Sequence, residues 1–120
     1  MFGKPKESDW KQFRDIVEYL RERYLKEKNK ELVEILTSSS KTATEQFWAT
    51  LDIMKKEKKI LQDCLDGHSR SKMFLSMCLM LRHGMLNEDD LKGFSEAGFS
   101  LWDNLQDLQN QLNTHLKMKL

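Results

Sequence analysis

The sequence predicts an all-α protein, in which a long amphipathic N-terminal helix precedes a compact C-terminal helical head. Only one proline and five glycines occur among 120 residues, so little interrupts a helix. Hydrophobic residues make up 39% of the chain and charged residues 32%, which is typical of helices that have one apolar stripe and one solvated face. Apolar side chains also recur every three or four residues along most of the chain, and this period is that of an amphipathic helix.

Residues 1–8 contain a glycine and a proline, and they are predicted to form a disordered lead before a single helical domain at 9–120. Ser8 or Asp9 is expected to cap the first helix, because either side chain can accept hydrogen bonds from free backbone N–H groups. The stripe of this helix consists of apolar side chains three or four residues apart, namely Trp10, Phe13, Val17, Leu20 and Tyr24.

A polar stretch at 37–42 interrupts the apolar pattern, and its Ser and Thr side chains compete for backbone hydrogen bonds. The sequence leaves open whether the long helix predicted at 9–63 bends or breaks there or stays continuous. If 37–42 stays helical, this region forms a rod of about 80 Å, which is too long for the rest of the chain to cover. A second copy would cover it, so the sequence predicts an antiparallel homodimer. The heptad-like seam of its second part comprises Phe47, Leu51, Met54, Lys58, Leu61 and Leu65.

The helical head is predicted over 69–120. Gly67 is expected to stop the preceding helix, and one of the serines that follow caps a mostly apolar helix that ends at Gly84. Asn87 precedes three acidic residues, which is typical of a cap and the first turn of a short helix. A final amphipathic helix carries the stripe Phe99, Trp102, Leu105, Leu108, Leu112 and Leu116.

Charge and hydropathy limit the classes of partner. Twenty basic and 19 acidic residues give a net charge of +1, which does not favour nucleic acid. The basic runs around Lys28 and Lys58 alternate with glutamates, so we expect solvated faces held by near-neighbour ion pairs. The most apolar segment, 73–81, is too short to span a bilayer, and the N-terminus lacks the apolar run of a secretion signal. We therefore predict a cytoplasmic protein that binds neither nucleic acid nor membrane.

No sequence pattern indicates catalysis or a cofactor. Cys64 and His68 are four residues apart, but a structural zinc site needs four ligands and no second pair occurs at a suitable spacing. The glycines form no phosphate-binding loop, and a Cys-His hydrolase would need a glycine-supported turn that the chain lacks. We expect no enzyme activity, no metal and no cofactor, and we interpret Cys64 and Cys78 as reduced thiols.

The most unusual residues are Trp48 and Asp52, one helical turn apart, with Lys58 further along the same stretch. Trp48 follows Phe47, so when one of them faces the seam the other projects to its side. A Trp beside an acidic and a basic residue is typical of a protein-binding hot spot, and a structural role at a dimer seam is equally consistent with the pattern. The predicted protein-binding or dimer-interface residues are Phe47, Trp48, Leu51, Asp52 and Lys58.

The same residues resemble the fluorescence recovery protein family of small helical dimers. Members of that family carry a Trp, an Asp four residues later and a basic residue ten after the Trp, and Trp48, Asp52 and Lys58 match this spacing. A second match is the segment 80–91, in which a helix end with a basic residue and a glycine precedes an acidic helix start. The resemblance extends over about residues 47–94.

The resemblance implies a non-catalytic regulator that binds the C-terminal domain of the orange carotenoid protein and speeds its return to the resting state. The matched positions would lie in the surface linked to dimerisation and to that activity. The chain departs from the family at Leu51, where the family has His, and at Lys58, where it has Arg, whose bidentate fork Lys lacks. These departures favour a divergent relative with a different partner. The alternatives are a structural or scaffolding helical dimer and a small nucleic-acid-binding adaptor.

Overall fold

The computed structural model describes residues 5–95, 102–107, 110–111 and 113–114. The described residues form helices and connections, with no strand among them. Helix α1 spans Glu7–Leu36, α2 spans Ala43–Leu65 and α3 spans Met73–Arg82; short 3₁₀ helices occupy Arg70–Lys72 and Glu88–Leu91, and residues 102–107 are helical. The predicted all-α class and the long first helix are confirmed.

Helices α1 and α2 pack side by side as an antiparallel hairpin. Of the alternatives that the sequence left open at 37–42, the structure contains the break, because α1 ends at Leu36 and α2 begins at Ala43. Thr42 caps α2 in a capping box with Glu45, in which each side chain accepts a hydrogen bond from the other's backbone N–H. The alternative of one continuous rod is therefore wrong. The homodimer was inferred from the uncovered stripe of that rod. It stays a prediction, but the argument from the rod no longer supports it.

The start of α1 differs from the prediction. The helix begins at Glu7, and no side chain caps it, so the capping role predicted for Ser8 or Asp9 is wrong. Asp9 is buried and instead accepts hydrogen bonds from the backbone N–H and the hydroxyl of Ser95, at 2.7 and 2.5 Å. These bonds fix the first turn of α1 to the distant segment after α3, and tertiary contacts of this kind are invisible in a local capping pattern.

The core lies where the first part of α1 meets the end of α2 and helix α3. The predicted stripe of α1 supplies the buried Phe13, Leu20 and Tyr24. Helix α3 is the helix predicted to be mostly apolar, and four of its ten residues are buried. The remaining core residues are Cys64, Met85, Leu86, Leu91, Phe94 and Leu105.

The predicted turns after α2 and α3 are also confirmed. Gly67 and Gly84 have φ angles of 70° and 74°, in the left-handed region that glycine adopts without a Cβ clash. Asn87 forms a capping box with Asp90 at the start of the second 3₁₀ helix. In the predicted final helix, Trp102 and Leu105 lie in the helical segment 102–107. The other predicted stripe residues, Phe99, Leu108, Leu112 and Leu116, lie outside the described residues.

Candidate protein-binding surface

The end of the hairpin lies beyond the core. No residue of α1 after Tyr24 is buried, and Thr50 is the one buried residue of α2 before Cys64. Several large apolar side chains of residues 32–54, which we call the hairpin end, are instead at least half exposed. Exposed apolar surface of this extent often marks an interaction site. The exposed residues are Val33 (57%), Leu36 (50%), Phe47 (61%), Trp48 (56%) and Met54 (51%).

Phe47 and Trp48 form the aromatic part of the hairpin end. Their ring centroids are 5.3 Å apart and the ring planes are perpendicular, at 90°, which is the edge-to-face geometry that aromatic pairs prefer. The sequence predicted that one of the two would face the seam and the other would project beside it, and in the structure both side chains are exposed. Leu51 is only partly buried beside them. Two adjacent rings that contact each other and solvent offer a large apolar area to another chain.

The predicted group of Trp48, Asp52 and Lys58 is divided between two faces of α2. Trp48 and Asp52 are one turn apart on the outer face, whereas Lys58 projects about 120° away from Asp52 around the helix axis. Within the described residues neither Asp52 nor Lys58 has an ion pair. The structure therefore does not bring the three side chains together within one protomer.

An open groove of about 440 Å³ separates the two helices on one side of the hairpin. Its wall on α2 contains the second half of the predicted seam. These residues line the open groove between the two helices of one protomer. Its wall on α1 is a row with the same four-three-four spacing, a pattern that the sequence analysis missed although Leu25 and Leu32 are seven residues apart. The two rows are Arg21, Leu25, Lys28 and Leu32 on α1, and Met54, Lys58, Leu61 and Leu65 on α2.

A polar cluster joins the two helices beside this groove. The hydroxyl of Tyr24 donates a hydrogen bond to the carboxylate of Glu57, and the ammonium of Lys28 lies 3.7 Å from that carboxylate and 5.3 Å from the centre of the Tyr24 ring. Burial and the bond to Glu57 raise the pKa of Tyr24. The sequence placed Tyr24 in an apolar stripe and Glu57 on a solvated face, and the spacing within each helix gave no sign that they meet.

The two basic runs differ in their ion pairs. The prediction of near-neighbour pairs is confirmed on α1, where Lys28 lies 3.6 Å from Glu31 and Lys30 lies 3.6 Å from Glu27. It is wrong on α2, because Glu57 turns toward α1 and none of the four lysines around it has an ion pair with a described residue. The middle of α2 therefore exposes uncompensated positive charge, carried by Lys55, Lys56, Lys58 and Lys59.

Cys64 and Cys78 are buried free thiols. Burial raises the pKa of Cys64 to about 11, with a smaller contribution from Asp63, and burial also raises the pKa of Cys78. The Nε2 atom of His68 lies 2.8 Å from the carbonyl oxygen of Cys64, so its ring contacts the helix backbone and not the thiol. In the described part of the chain no three metal-ligating side chains lie close enough to share an ion.

No helix among the described residues is long and apolar enough to cross a membrane. Comparison of the chain with models of known protein families, with curated proteins and with solved structures finds no match. The fold and the surface define an all-α protein built on a helical hairpin whose far end is aromatic and exposed. The resemblance to the fluorescence recovery protein family continues to depend on the sequence motifs around Trp48 and on segment 80–91.

Proposed function

We propose that the protein is a non-catalytic regulator that binds other protein chains through its hairpin end. The observation that supports this most directly is the exposure of Phe47 and Trp48, at 61% and 56%. Aromatic side chains are enriched among the residues that dominate protein interfaces, and neither ring belongs to the buried core of the protomer. Asp52, one turn from Trp48, adds a charge that can fix the orientation of the partner.

The mechanism that we propose follows the family resemblance. A partner with two conformations shifts toward the one that the hairpin end binds more tightly, and only by the difference between the two affinities. In the fluorescence recovery protein family this role is exercised on the orange carotenoid protein. The replacement of the family's Arg by Lys58 and of its His by Leu51 favours a different partner for this chain.

A homodimer formed through the hairpin end is part of the proposal. The exposed apolar side chains at the hairpin end, where α1 ends and α2 begins, are available for contact with a second copy. This contact, and not an uncovered rod, is the reason for proposing the dimer. Sedimentation at micromolar concentration tests this point. A clean monomer of 14.3 kDa with full helicity contradicts the dimer and leaves binding to a different chain to be tested separately.

The test of the proposed function is a quantitative pull-down from the source cells. Trp48→Ala and Phe47→Ala should each lose most of the recovered partner, because truncation of an interface anchor commonly reduces binding by about 2 kcal/mol or more. Leu75→Ala is the matched control, since Leu75 is an exposed apolar residue (46%) on α3. Equal recovery by all variants shows that the hairpin end is not the binding surface. A variant that falls from dimer to monomer assigns Trp48 to the dimer seam.

The second candidate is a small nucleic-acid-binding adaptor, and the four unpaired lysines on α2 favour it. Contacts with phosphates release counterions, so affinity should then fall steeply as salt is added. Measurement of oligonucleotide binding between about 50 and 200 mM salt distinguishes this candidate. A weak interaction with little salt dependence argues against it.

A further inference from the structure

We propose that the groove between α1 and α2 binds an amphipathic helix of a partner protein, in which acidic residues flank the apolar stripe. This inference depends on the proposed protein-binding function and adds a second contact surface to it. It names the chemistry of the bound segment, which neither the aromatic hairpin end nor the family resemblance specifies.

The spacing of the groove walls supports a helical ligand. Each wall presents side chains at intervals of four, three and four residues, from Arg21 to Leu32 on α1 and from Met54 to Leu65 on α2. This is the heptad spacing with which helices interlock their side chains. A third helix in the groove would complete a three-helix bundle. Because each row extends over about 16 Å, the bound segment would contain about three helical turns.

The two walls of the groove also supply the apolar contacts that such a helix needs. Leu25 and Leu32 face the groove from α1, and Met54, Leu61 and Leu65 face it from α2. Met54 is 51% exposed, so apolar surface remains to be covered in the protomer. Grooves of this kind bind amphipathic helices through apolar anchors three, four and seven residues apart.

The charges of the groove select an acidic helix. Three cations and two carboxylates line it, but Arg21 and Lys28 already have ion pairs with neighbouring glutamates, and Glu57 is engaged by Lys28. Lys58, in the middle of the α2 row, has no ion pair with a described residue. The neighbouring unpaired lysines of α2 strengthen this positive field. Acidic residues beside the partner's apolar stripe would therefore meet complementary charge.

The same charges argue against a second copy of this chain as the ligand. Groove-to-groove pairing of two copies would bring the same cationic rows together, and like charges in a buried interface disfavour the pair. Nucleic acid would pair its phosphates with the lysines, but it would leave the apolar residues of the groove walls, including Met54, without a partner. An acidic amphipathic helix satisfies both features.

The probe for this proposal is a synthetic helical peptide of about 18 residues, with leucines at heptad positions and glutamates beside them, and its affinity is measured by fluorescence anisotropy. The control peptide carries lysines in place of the glutamates. We expect the acidic peptide to bind at least about tenfold more tightly than the basic one, which corresponds to ~1.4 kcal/mol. Equal affinities for the two peptides overturn the proposal.

Variants of the protein locate the peptide. Met54→Asp should weaken the acidic peptide by about tenfold or more, with Leu32→Ala as a second groove variant in case the first perturbs folding. Lys58→Glu should weaken the acidic peptide and strengthen the basic one. Lys59→Glu is the matched control, because it makes the same charge change on a side chain that projects about 100° away from Lys58. Equal effects of Lys58→Glu and Lys59→Glu overturn the proposal.

The remaining outcomes separate the occupants and the two proposals. Dissociation of a dimer by Met54→Asp but not by Trp48→Ala assigns the groove to a second copy, and oligonucleotide binding that needs Lys58 but not Met54 assigns the lysines to nucleic acid; either result overturns the inference. Trp48→Ala should leave peptide binding unchanged, since Trp48 lies about 120° from Met54 around α2. If the acidic peptide does not bind while the pull-down still depends on Trp48, only the groove proposal is wrong. If the peptide binds and the pull-down does not depend on Trp48, only the function proposed for the hairpin end is wrong.

Discussion

Tyr24 on α1 donates its hydroxyl to the carboxylate of Glu57 on α2, at the point where the buried core gives way to the exposed hairpin end. The bond joins residues that are 33 positions apart in the sequence. Tyr24 is itself 7% exposed, and the bond is partly buried. It therefore links the two helices beside the groove and contributes to holding them in one register.

We expect Tyr24→Phe to destabilise the protein by about 1–2 kcal/mol. The ring and its apolar contacts remain, whereas the carboxylate of Glu57 loses a hydrogen bond in a partly buried site. Urea unfolding followed by circular dichroism measures the change. Tyr19→Phe is the control, because Tyr19 is 62% exposed; an equally large effect there would show that the Tyr24 hydroxyl has no special role.

The same tyrosine should make stability depend on alkaline pH. Its pKa is raised in the folded state by burial and by Glu57, so folding favours the protonated phenol. The contribution of the protonated phenol to the free energy of unfolding is complete below the pKa of tyrosine in the unfolded chain, about 10. It is lost as the pH rises toward the pKa of Tyr24 in the folded protein. The stability advantage of wild type over Tyr24→Phe should therefore be constant from pH 7 to 9 and shrink above about 10. A constant advantage through that range contradicts the assignment.

Thr50→Val should leave the protein as stable or make it more stable, by up to about 1 kcal/mol. Thr50 is buried in α2, and its hydroxyl has no hydrogen-bond partner among the described residues. Valine has nearly the same shape without the unsatisfied polar group. The control is Thr44→Val, on the exposed first turn of α2, which should change the free energy of unfolding by less than about 0.5 kcal/mol. Marked destabilisation by Thr50→Val would indicate that the hydroxyl is bonded in solution.

Arg23→Lys should destabilise the protein by about 1.5–3 kcal/mol. The guanidinium of Arg23 donates to both carboxylate oxygens of Asp90, at 2.9 and 2.6 Å, and to the carbonyl of Met85 at 3.0 Å. Lysine keeps the charge but cannot reproduce this fork. Arg21→Lys is the control, because Arg21 has only longer surface ion pairs of 3.7 and 3.8 Å. Equal thermal unfolding midpoints for the two variants would contradict the prediction.

Within a single protomer, Trp48→Ala should change the free energy of unfolding by less than about 0.5 kcal/mol, whereas Phe13→Ala should reduce it by about 3–5 kcal/mol. Phe13 is 1% exposed in the core, and Trp48 is 56% exposed at the hairpin end. Chemical unfolding at two protein concentrations measures both changes and reveals any dimer contribution. A large loss for Trp48→Ala that depends on protein concentration would place this residue in a dimer interface.

Local patterns in the sequence were sufficient for the helices and for most of their ends, but not for the start of α1, where no side chain caps the helix. The stripe of Phe13, Leu20 and Tyr24 predicted the buried face of α1, and Gly67, Gly84 and Asn87 predicted the turns that the structure contains. These features depend on residues within a few positions of one another, so helical period and turn chemistry are enough to predict them. The spacing predicted that one ring of the Phe47–Trp48 pair would project beside the seam, and the exposure of both rings was not part of that prediction.

Only the tertiary structure decided what the stripes face. The sequence indicated an interruption at 37–42, but the direction of the chain after it depends on the packing of α1 against α2, and the hairpin changes the α2 seam into one wall of a groove. Packing also turned Glu57 toward Tyr24 and left Lys58 without an ion pair. Residues this far apart in sequence meet only when the core is assembled, so helical period and charge spacing cannot predict these contacts.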